Sequence, residues 1–298
     1  MEINAKAAST HVFPVMDQFQ NGEVHSVFNN SFNLMFGERL IHIGAIEQGL
    51  SPFGIAVHGS IAAELTACIR QEKTAVWSAE RGELAIGKSA VIHTDQAKKH
   101  DLALSLDSVP DFNRLNKYAK RCAHHLQLNG FKAGLLDTLQ EQAVLLDYLL
   151  EEKSGSISFL NQLKSLEELA QGRLHIAPET VYDYWVGRGP GLTPSGDDML
   201  TGLLASLEMQ GLLSLELRAS LKKYLDHQGL KRTTAVAYEY LLYALRGFFH
   251  GSIQELCMAF VSMDEARFDQ ALIEMERVGH TSGIDTILGM LIGIKVGR

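Results

Sequence analysis

The chain has 298 residues, 46% hydrophobic and 21% charged, which is the balance of a globular protein able to bury a core without disulfides. A formal net charge of -8, with no cluster of Lys and Arg interleaved with aromatic residues, argues against a nucleic-acid partner. No charge-free apolar run approaches the ~20 residues of a membrane helix, and the N-terminus resembles no secretory signal, so we expect a cytoplasmic protein. The three cysteines, Cys68, Cys122 and Cys257, are scattered along the chain. We therefore expect them to be reduced, packed thiols.

The first third of the chain is predicted to be rich in β-strands. Short segments with β-branched or aromatic residues are bounded by turn residues, and one helix is expected at 60–71. The connections are too short for repeated parallel crossovers, which predicts a mainly antiparallel sheet. The predicted strands lie at 24–28, 40–43, 74–77, 83–86 and 90–93.

Beyond residue 110 the apolar residues recur at the spacing of helices. This pattern begins at 112–126, and a polar break at 153–158 precedes another helix. Further helices are expected near 197–210, 215–227, 234–248, 252–261, 265–277 and 285–295. The sequence therefore predicts an α+β protein with a β-rich N-terminal domain over 1–108 and a helical domain over 109–298.

One segment combines glycine, proline and acidic residues at high density: Gly187-Arg-Gly-Pro-Gly-Leu-Thr-Pro-Ser-Gly-Asp-Asp198. Its glycines allow positive φ and close approach of a ligand to the backbone, while its prolines stiffen the loop. It is neither a Walker A loop nor a dinucleotide fingerprint, because no Gly-Lys-Ser/Thr ends it and Leu192 replaces the third glycine. The candidate substrate-binding residues here are Arg188, Gly189, Gly191, Thr193, Ser195 and Gly196.

A partial echo of this segment occurs near the C-terminus. Ser195-Gly-Asp-Asp-Met-Leu-Thr-Gly202 and Ser282-Gly-Ile-Asp-Thr-Ile-Leu-Gly289 share the pattern Ser-Gly-x-Asp-x-x-x-Gly. Capping alone would explain both copies, with the serine as N-cap and Asp198 or Asp285 reaching back. Small residues four apart on both helices would also let the two backbones approach. The two helix N-termini would then meet and offer free N–H groups to an anion.

The acidic residues of the two copies are the first candidates for chemistry. Asp197 is the strongest candidate, because helix capping does not explain an acidic residue at this position and the second copy has Ile284 there. His280 could act as a general acid–base or stabilise a developing negative charge. The candidate catalytic residues are Asp197, Asp198, His280 and Asp285, and the echo adds Thr281, Ser282 and Gly283 as substrate-binding candidates. We predict no cofactor, although a divalent ion could bind at Asp197 and Asp198.

A third segment, Arg232-Thr-Thr-Ala-Val236, could join the same site. Thr233 or Thr234 would cap the helix that follows, or would bind substrate. Arg232, like Arg188, could face the anion.

Together these three segments resemble the AllH family, a subunit of oxamate carbamoyltransferase. The resemblance covers the C-terminal ~115 residues, whereas the N-terminal part matches loosely, mainly in Gly22-Glu-Val-His-Ser-Val-Phe28. It implies phosphorolysis of oxalurate to oxamate and carbamoyl phosphate in allantoin and purine-nitrogen breakdown. It also implies a small anionic substrate and AllF- and AllG-like partner subunits.

The residues themselves leave three functions open. The first is an enzyme subunit for carbamoyl transfer, which positions substrates and stabilises charge with preorganised donors. The second is a non-catalytic scaffold or binding subunit, whose loop glycines would pack instead of lining a pocket. The third is a carboxylate–metal hydrolase that uses Asp197, Asp198 and Asp285.

Overall fold

A computed structural model describes residues 1–106, 110–136, 138–150, 158–173, 175–262 and 264–297. Within these ranges the chain forms two compact units. The first comprises Met1–Ala103 and Phe248–Ser252, and the second comprises the other described residues. The predicted domain boundary after residue 108 lies outside the described residues, as does the predicted polar break except for Ser158.

Among the described residues of the first unit, ten strands form one sheet. They are β1 Glu2–Asn4, β2 Ala7–Ser9, β3 Asn21–Val27, β4 Ser31–Phe36, β5 Arg39–Ala45, β6 Gly54–Val57, β7 Thr74–Ser78, β8 Glu83–Ile86, β9 Ala90–His93 and β10 Lys98–His100. Their order is β1-β9-β8-β7-β3-β4-β5-β6-β2-β10. Three neighbouring pairs, β1 with β9, β5 with β6 and β2 with β10, are parallel and the others are antiparallel. The mainly antiparallel sheet is therefore confirmed.

Two helices pack on this sheet, α1 Val12–Phe19 and α2 Gly59–Ile69. Their apolar residues join the strand side chains in one core, which explains why the period-2 pattern of strands such as β8 has one buried face. The helix predicted at 60–71 is confirmed by α2. Cys68 lies on the exposed side of α2, so the prediction that all three cysteines are packed holds only for Cys122 and Cys257.

Helices are the main elements of the rest of the described chain, which confirms the α+β class. The helices are α3 Phe112–Asn129, α4 Leu139–Leu150, α5 Ser158–Ala170, α6 Pro178–Trp185, α7 Ser195–Met209, α8 Leu215–Tyr224, α9 Leu230–Arg232, α10 Ala235–Ala244, α11 Gly251–Val261, α12 Glu265–Glu276 and α13 Ser282–Val296. In the described part of the chain, no helix is long and apolar enough to cross a bilayer.

Helices α7 and α13 form the centre of the second unit, and they pack side by side with their N-termini at the same end. A Cβ added at Gly202 would lie 2.0 Å from the Thr286 carbonyl oxygen, and one at Gly289 would lie 2.0 Å from the Met199 carbonyl oxygen. Only glycine permits this backbone contact, which occurs reciprocally on the two helices. The predicted close approach of the two backbones is therefore confirmed.

Candidate functional site

Both helices begin at the serines of the repeated pattern, but neither serine caps its helix. Pro194 occupies the N-cap position of α7 and Thr281 that of α13, and neither makes a side-chain capping hydrogen bond. Each serine therefore lies one residue further inside its helix than a capping box requires. The prediction of two capping boxes is wrong, and the serine hydroxyls are available for other partners.

Each serine instead pairs with the aspartate of the other copy. The Ser195 hydroxyl lies beside the carboxyl of Asp285 and lowers its pKa, and the Ser282 hydroxyl lies beside the carboxyl of Asp198 and lowers its pKa. We call these two contacts the crossed pairs. Thr193 Oγ1 also lies 2.8 Å from Ser282 Oγ. The loops 187–198 and 279–285 therefore converge, as the repeated pattern predicted.

Asp285 is fully buried and well supplied with hydrogen bonds. Besides Ser195, it has Thr281 as a partner, and the backbone N–H of Gly134 donates to its two oxygens at 3.0 and 3.3 Å. A Cβ at Gly134 would lie 1.9 Å from Ser195 Oγ, so a side chain there would displace the Ser195 hydroxyl. Sequence reasoning missed Gly134, because it belongs to the connection between α3 and α4 and to no recognisable motif.

Asp197 has a structural duty that the sequence did not indicate. The N–H of Gly187 donates to its two oxygens at 3.1 and 3.2 Å, and the Thr233 hydroxyl donates to Oδ2 at 2.5 Å. These bonds tie the start of the glycine loop and the segment before α10 to the first turn of α7. The Asp197 carboxyl therefore links three segments by hydrogen bonds. Its part in the chemistry stays a prediction.

Asp198 differs from both other carboxyls of the site. Its Oδ2 is buried and has no hydrogen-bond partner among the residues that the structure describes. The groups beside its carboxyl that can hydrogen-bond are the hydroxyls of Ser282 and Thr193. A buried polar atom without a partner is rare in proteins and calls for an explanation such as a ligand or a catalytic role.

Burial raises the pKa of all three carboxyls. The pKa of Asp197 is raised to about 6, against the opposing effect of the hydrogen bonds from Thr233 and Gly187. The pKa of Asp198 is raised well above its ordinary value by burial, and the charges of Asp285 and Asp197 raise it further. The pKa of Asp285 is raised by burial and lowered in part by its donors. Burial and the mutual repulsion of neighbouring carboxylates therefore favour protonation of this cluster at higher pH than is usual for aspartate.

The first-turn N–H groups of the two helices are largely used within the protein. The Gly196 N–H donates to Arg188 O at 2.8 Å, and the Asp197 and Asp198 N–H groups donate to Pro194 O at 2.9 and 3.1 Å. On α13, the Gly283 N–H donates to Val278 O at 3.0 Å and the Asp285 N–H to Thr281 O at 2.9 Å. These N–H groups are therefore not free for an anion, and the anion pocket as a whole stays a prediction.

The glycines of the loop divide into two kinds. Gly187, Gly189 and Gly191 all have positive φ, as predicted for this loop. A Cβ at Gly187 would lie 1.8 Å from Arg232 O, whereas one at Gly191 would meet nothing closer than Thr193 O at 4.0 Å. Gly187 therefore packs against backbone, and Gly191 borders open space.

The basic candidates are engaged with groups other than the acidic cluster. The Arg232 guanidinium donates to Asp183 O and lies 4.0 Å from the Asp183 carboxylate, and that of Arg188 lies 4.1 Å from the centre of the Tyr184 ring. His280 is exposed, and no residue that the structure describes forms a hydrogen bond or ion pair with it. The structure does not bring these three side chains to the crossed pairs.

Thr234 is the N-cap of α10, since its Oγ1 accepts the Ala237 N–H at 3.1 Å. Its hydroxyl also donates to Leu192 O, which fastens the glycine loop a second time. In the described ranges no three His, Cys, Asp or Glu side chains are grouped as metal ligands. The divalent ion at Asp197 and Asp198 stays a prediction.

Two family models match this chain. The model described as the AllH family N-terminal domain matches residues 4–99, and the model described as oxamate carbamoyltransferase subunit AllH matches residues 185–294. The second match contains α7, all but the last two residues of α13, and both crossed pairs. No solved structure matches the chain. Since the two matches together cover more than half of its length, the chain belongs to the AllH family of oxamate carbamoyltransferase subunits.

Proposed function

We propose that this chain takes part directly in carbamoyl transfer between oxalurate and phosphate, and that the crossed pairs form part of the site. The products would be oxamate and carbamoyl phosphate. The observation that supports this proposal is the buried Asp198 Oδ2 without a partner, which lies where the two family-matched helices begin. Leaving such a group without a hydrogen bond costs about 1–3 kcal/mol, and a substrate amide would restore the bond.

The polarity of the site favours the neutral part of the substrate. A carbamoyl group carries an NH2 whose hydrogens suit carboxyl and hydroxyl oxygens, which Asp198, Ser282 and Thr193 supply. The carboxylate and phosphate ends of the reactants are anionic and would be repelled by the acidic cluster. We expect them at the open side of the loop near Gly191, with Arg188 of the same loop as a candidate cation.

The family description names a subunit, so other chains complete the enzyme. We propose AllF- and AllG-like subunits as these partners and allantoin or purine-nitrogen breakdown as the setting. This chain would then contribute the amide-binding part of a site whose other groups come from the complex.

A second candidate function is that of a scaffold subunit, and the packing of the glycines favours it. Added Cβ atoms at Gly187, Gly196 and Gly283 would lie 1.8, 2.0 and 1.9 Å from backbone carbonyl oxygens. These glycines therefore hold segments together. A scaffold would need such packing and would not need a free carboxyl oxygen.

The deciding experiment uses the complex assembled with AllF- and AllG-like subunits and measures carbamoyl phosphate formed from oxalurate and phosphate. Asp198→Asn should lower the rate at least about tenfold, which is about 1.4 kcal/mol of barrier. The control Asp226→Asn changes an exposed carboxylate paired with Lys222 and should leave the rate unchanged.

If the complex needs this chain but Asp198→Asn transfers at the parent rate, the scaffold function is correct. If the complete complex forms no carbamoyl phosphate from oxalurate and phosphate, the proposed reaction is rejected. Calorimetry with oxamate, phosphate and carbamoyl phosphate then tests whether the complex binds any of these anions.

A further inference from the structure

We infer that Asp198 is the proton donor to the departing amide nitrogen in carbamoyl transfer, an inference that rests on the proposed function. It gives the two aspartates of the repeated pattern different roles. Asp198 would touch the substrate, and Asp285 would be a positioning residue.

The first support is the unequal hydrogen bonding of the two crossed pairs. Asp285 is fully buried, and the Gly134 N–H, Ser195 and Thr281 all serve its carboxyl. Asp198 has hydroxyl neighbours but no backbone N–H donor, and its Oδ2 has no partner among the described residues. Of the two carboxyls, only Asp198 has an oxygen left for a substrate atom.

The second support is the distribution of charge in the cluster. Backbone N–H groups stabilise the ionised forms of Asp197 and Asp285, through Gly187 and Gly134 respectively. Among the described residues, the titratable groups that act on Asp198 are Asp285 on α13 and Asp197 on its own helix, and both are acidic. Burial raises the pKa of Asp198, and these two charges raise it further, which favours the protonated carboxyl that a proton donor needs.

The chemistry needs a proton at this position. A phosphate oxygen attacks the carbamoyl carbon of oxalurate, a C–O bond forms, and the C–N bond to the oxamate part breaks. The electron pair of the broken bond goes to nitrogen, which takes the proton of Asp198 and leaves as the neutral amide of oxamate. Hydrogen phosphate loses its own proton on becoming carbamoyl phosphate, and that proton restores Asp198. The step balances without an oxidant, reductant or further reactant.

In this inference, substrate would reach Asp198 by displacing the loop beside it. Thr193 Oγ1 lies 2.8 Å from Ser282 Oγ, and the Thr234 hydroxyl donates to Leu192 O, so these contacts hold the loop over the carboxyl. Gly189 and Gly191 have φ of +107° and +101°, which leaves this stretch free of the Cβ atoms that would restrict its rearrangement. An incoming carbamoyl group would replace Thr193 as the neighbour of Ser282.

The test is the pH dependence of kcat in the assembled complex. A general acid must be protonated, so kcat of the parent should fall as pH rises through the pKa of Asp198. Asp198→Asn should lower kcat at least about a hundredfold, change KM little and abolish this alkaline limb. Asp226→Asn is the control, and size-exclusion chromatography verifies that each variant assembles.

A second variant keeps the test sharp if Asp198→Asn does not assemble. The Ser282 hydroxyl lowers the pKa of Asp198, so Ser282→Ala should move the alkaline limb to higher pH. An unchanged limb in Ser282→Ala, a parent without an alkaline limb, or an Asp198→Asn complex within about threefold of the parent kcat would each overturn the inference. The first two outcomes leave the proposed function standing, because Asp198→Asn still lowers the rate. An Asp198→Asn complex at the parent rate rejects both the inference and the direct role of this chain and favours the scaffold function. A parent complex that transfers no carbamoyl group rejects the proposed reaction.

Discussion

Replacing Asp197 with asparagine should change how the stability of the second unit depends on pH. Asp197 is 2% exposed, and its pKa is raised from 3.8 to about 6. The folded state therefore holds this proton more tightly than the unfolded chain does. The resulting stability is complete below about pH 4 and is lost as the pH rises through about 6. At 1.36 kcal/mol per unit, this shift corresponds to about 3 kcal/mol.

Asparagine can keep the hydrogen bonds of this position while removing its titration. Its carbonyl oxygen can accept the Gly187 N–H, and its NH2 can donate to Thr233 Oγ1, whose hydroxyl then turns. We therefore expect Asp197→Asn to match the parent in stability near pH 4. Near pH 7 it should exceed the parent by up to about 3 kcal/mol.

Urea unfolding followed by tryptophan fluorescence, at pH values from about 4 to about 7.5, measures this difference. The chain has two tryptophans, so a Trp77→Phe background leaves Trp185 as the reporter of the second unit. Asp269→Asn is the control of opposite sign, because its hydrogen bond with Arg121 lowers the pKa of Asp269. A difference between Asp197→Asn and the parent that stays constant from pH 4 to 7, or a variant less stable than the parent at pH 7, would refute the reasoning.

Two further substitutions test the packing and the capping of the second unit. Gly202→Ala adds a Cβ 2.0 Å from Thr286 O and should lower the free energy of unfolding by at least about 2 kcal/mol. Gly251→Ala is the control, because the nearest atoms to its added Cβ are 3.6 and 3.8 Å away, and it should leave the melting temperature nearly unchanged. Thr234→Ala removes the acceptor of the Ala237 N–H and should lower stability in urea by about 0.5–2 kcal/mol, and Thr234→Ser should restore most of it.

The strands of the first unit could be predicted where buried and exposed residues alternate along them. In β8 the buried Leu84 and Ile86 alternate with half-buried residues, and this strand was predicted. Strand β4 has consecutive buried residues, and every residue of β6 is buried. Neither strand therefore shows the alternation of apolar and polar residues that predicts a strand. Helix α1 was not predicted, because Pro14 lies within it, although proline is tolerated in the first turn of a helix.

The candidate site was predictable to the extent that it is encoded locally. The glycines with positive φ, the two helix starts and their convergence follow from the repeated pattern and its small residues. The partners of the carboxyls do not, because they come from distant parts of the chain: Gly134 bonds to Asp285, and Thr233 bonds to Asp197. A shift of one residue in the N-cap position also decided that each serine faces the other helix.

The glycines that pack α7 against α13 also determine where the Asp198 carboxyl lies. The scaffold function and the enzyme function therefore both depend on the same pair of helices. Gly202 and Gly289 let the backbones of α7 and α13 touch, and this close contact brings each serine within reach of the other helix's aspartate. The repeated pattern alone would make the two aspartates equivalent. Gly134 breaks this equivalence, because its N–H donates to Asp285, whereas no backbone N–H of a described residue donates to Asp198. The surroundings of the two copies, more than the shared motif, therefore support the role proposed for Asp198.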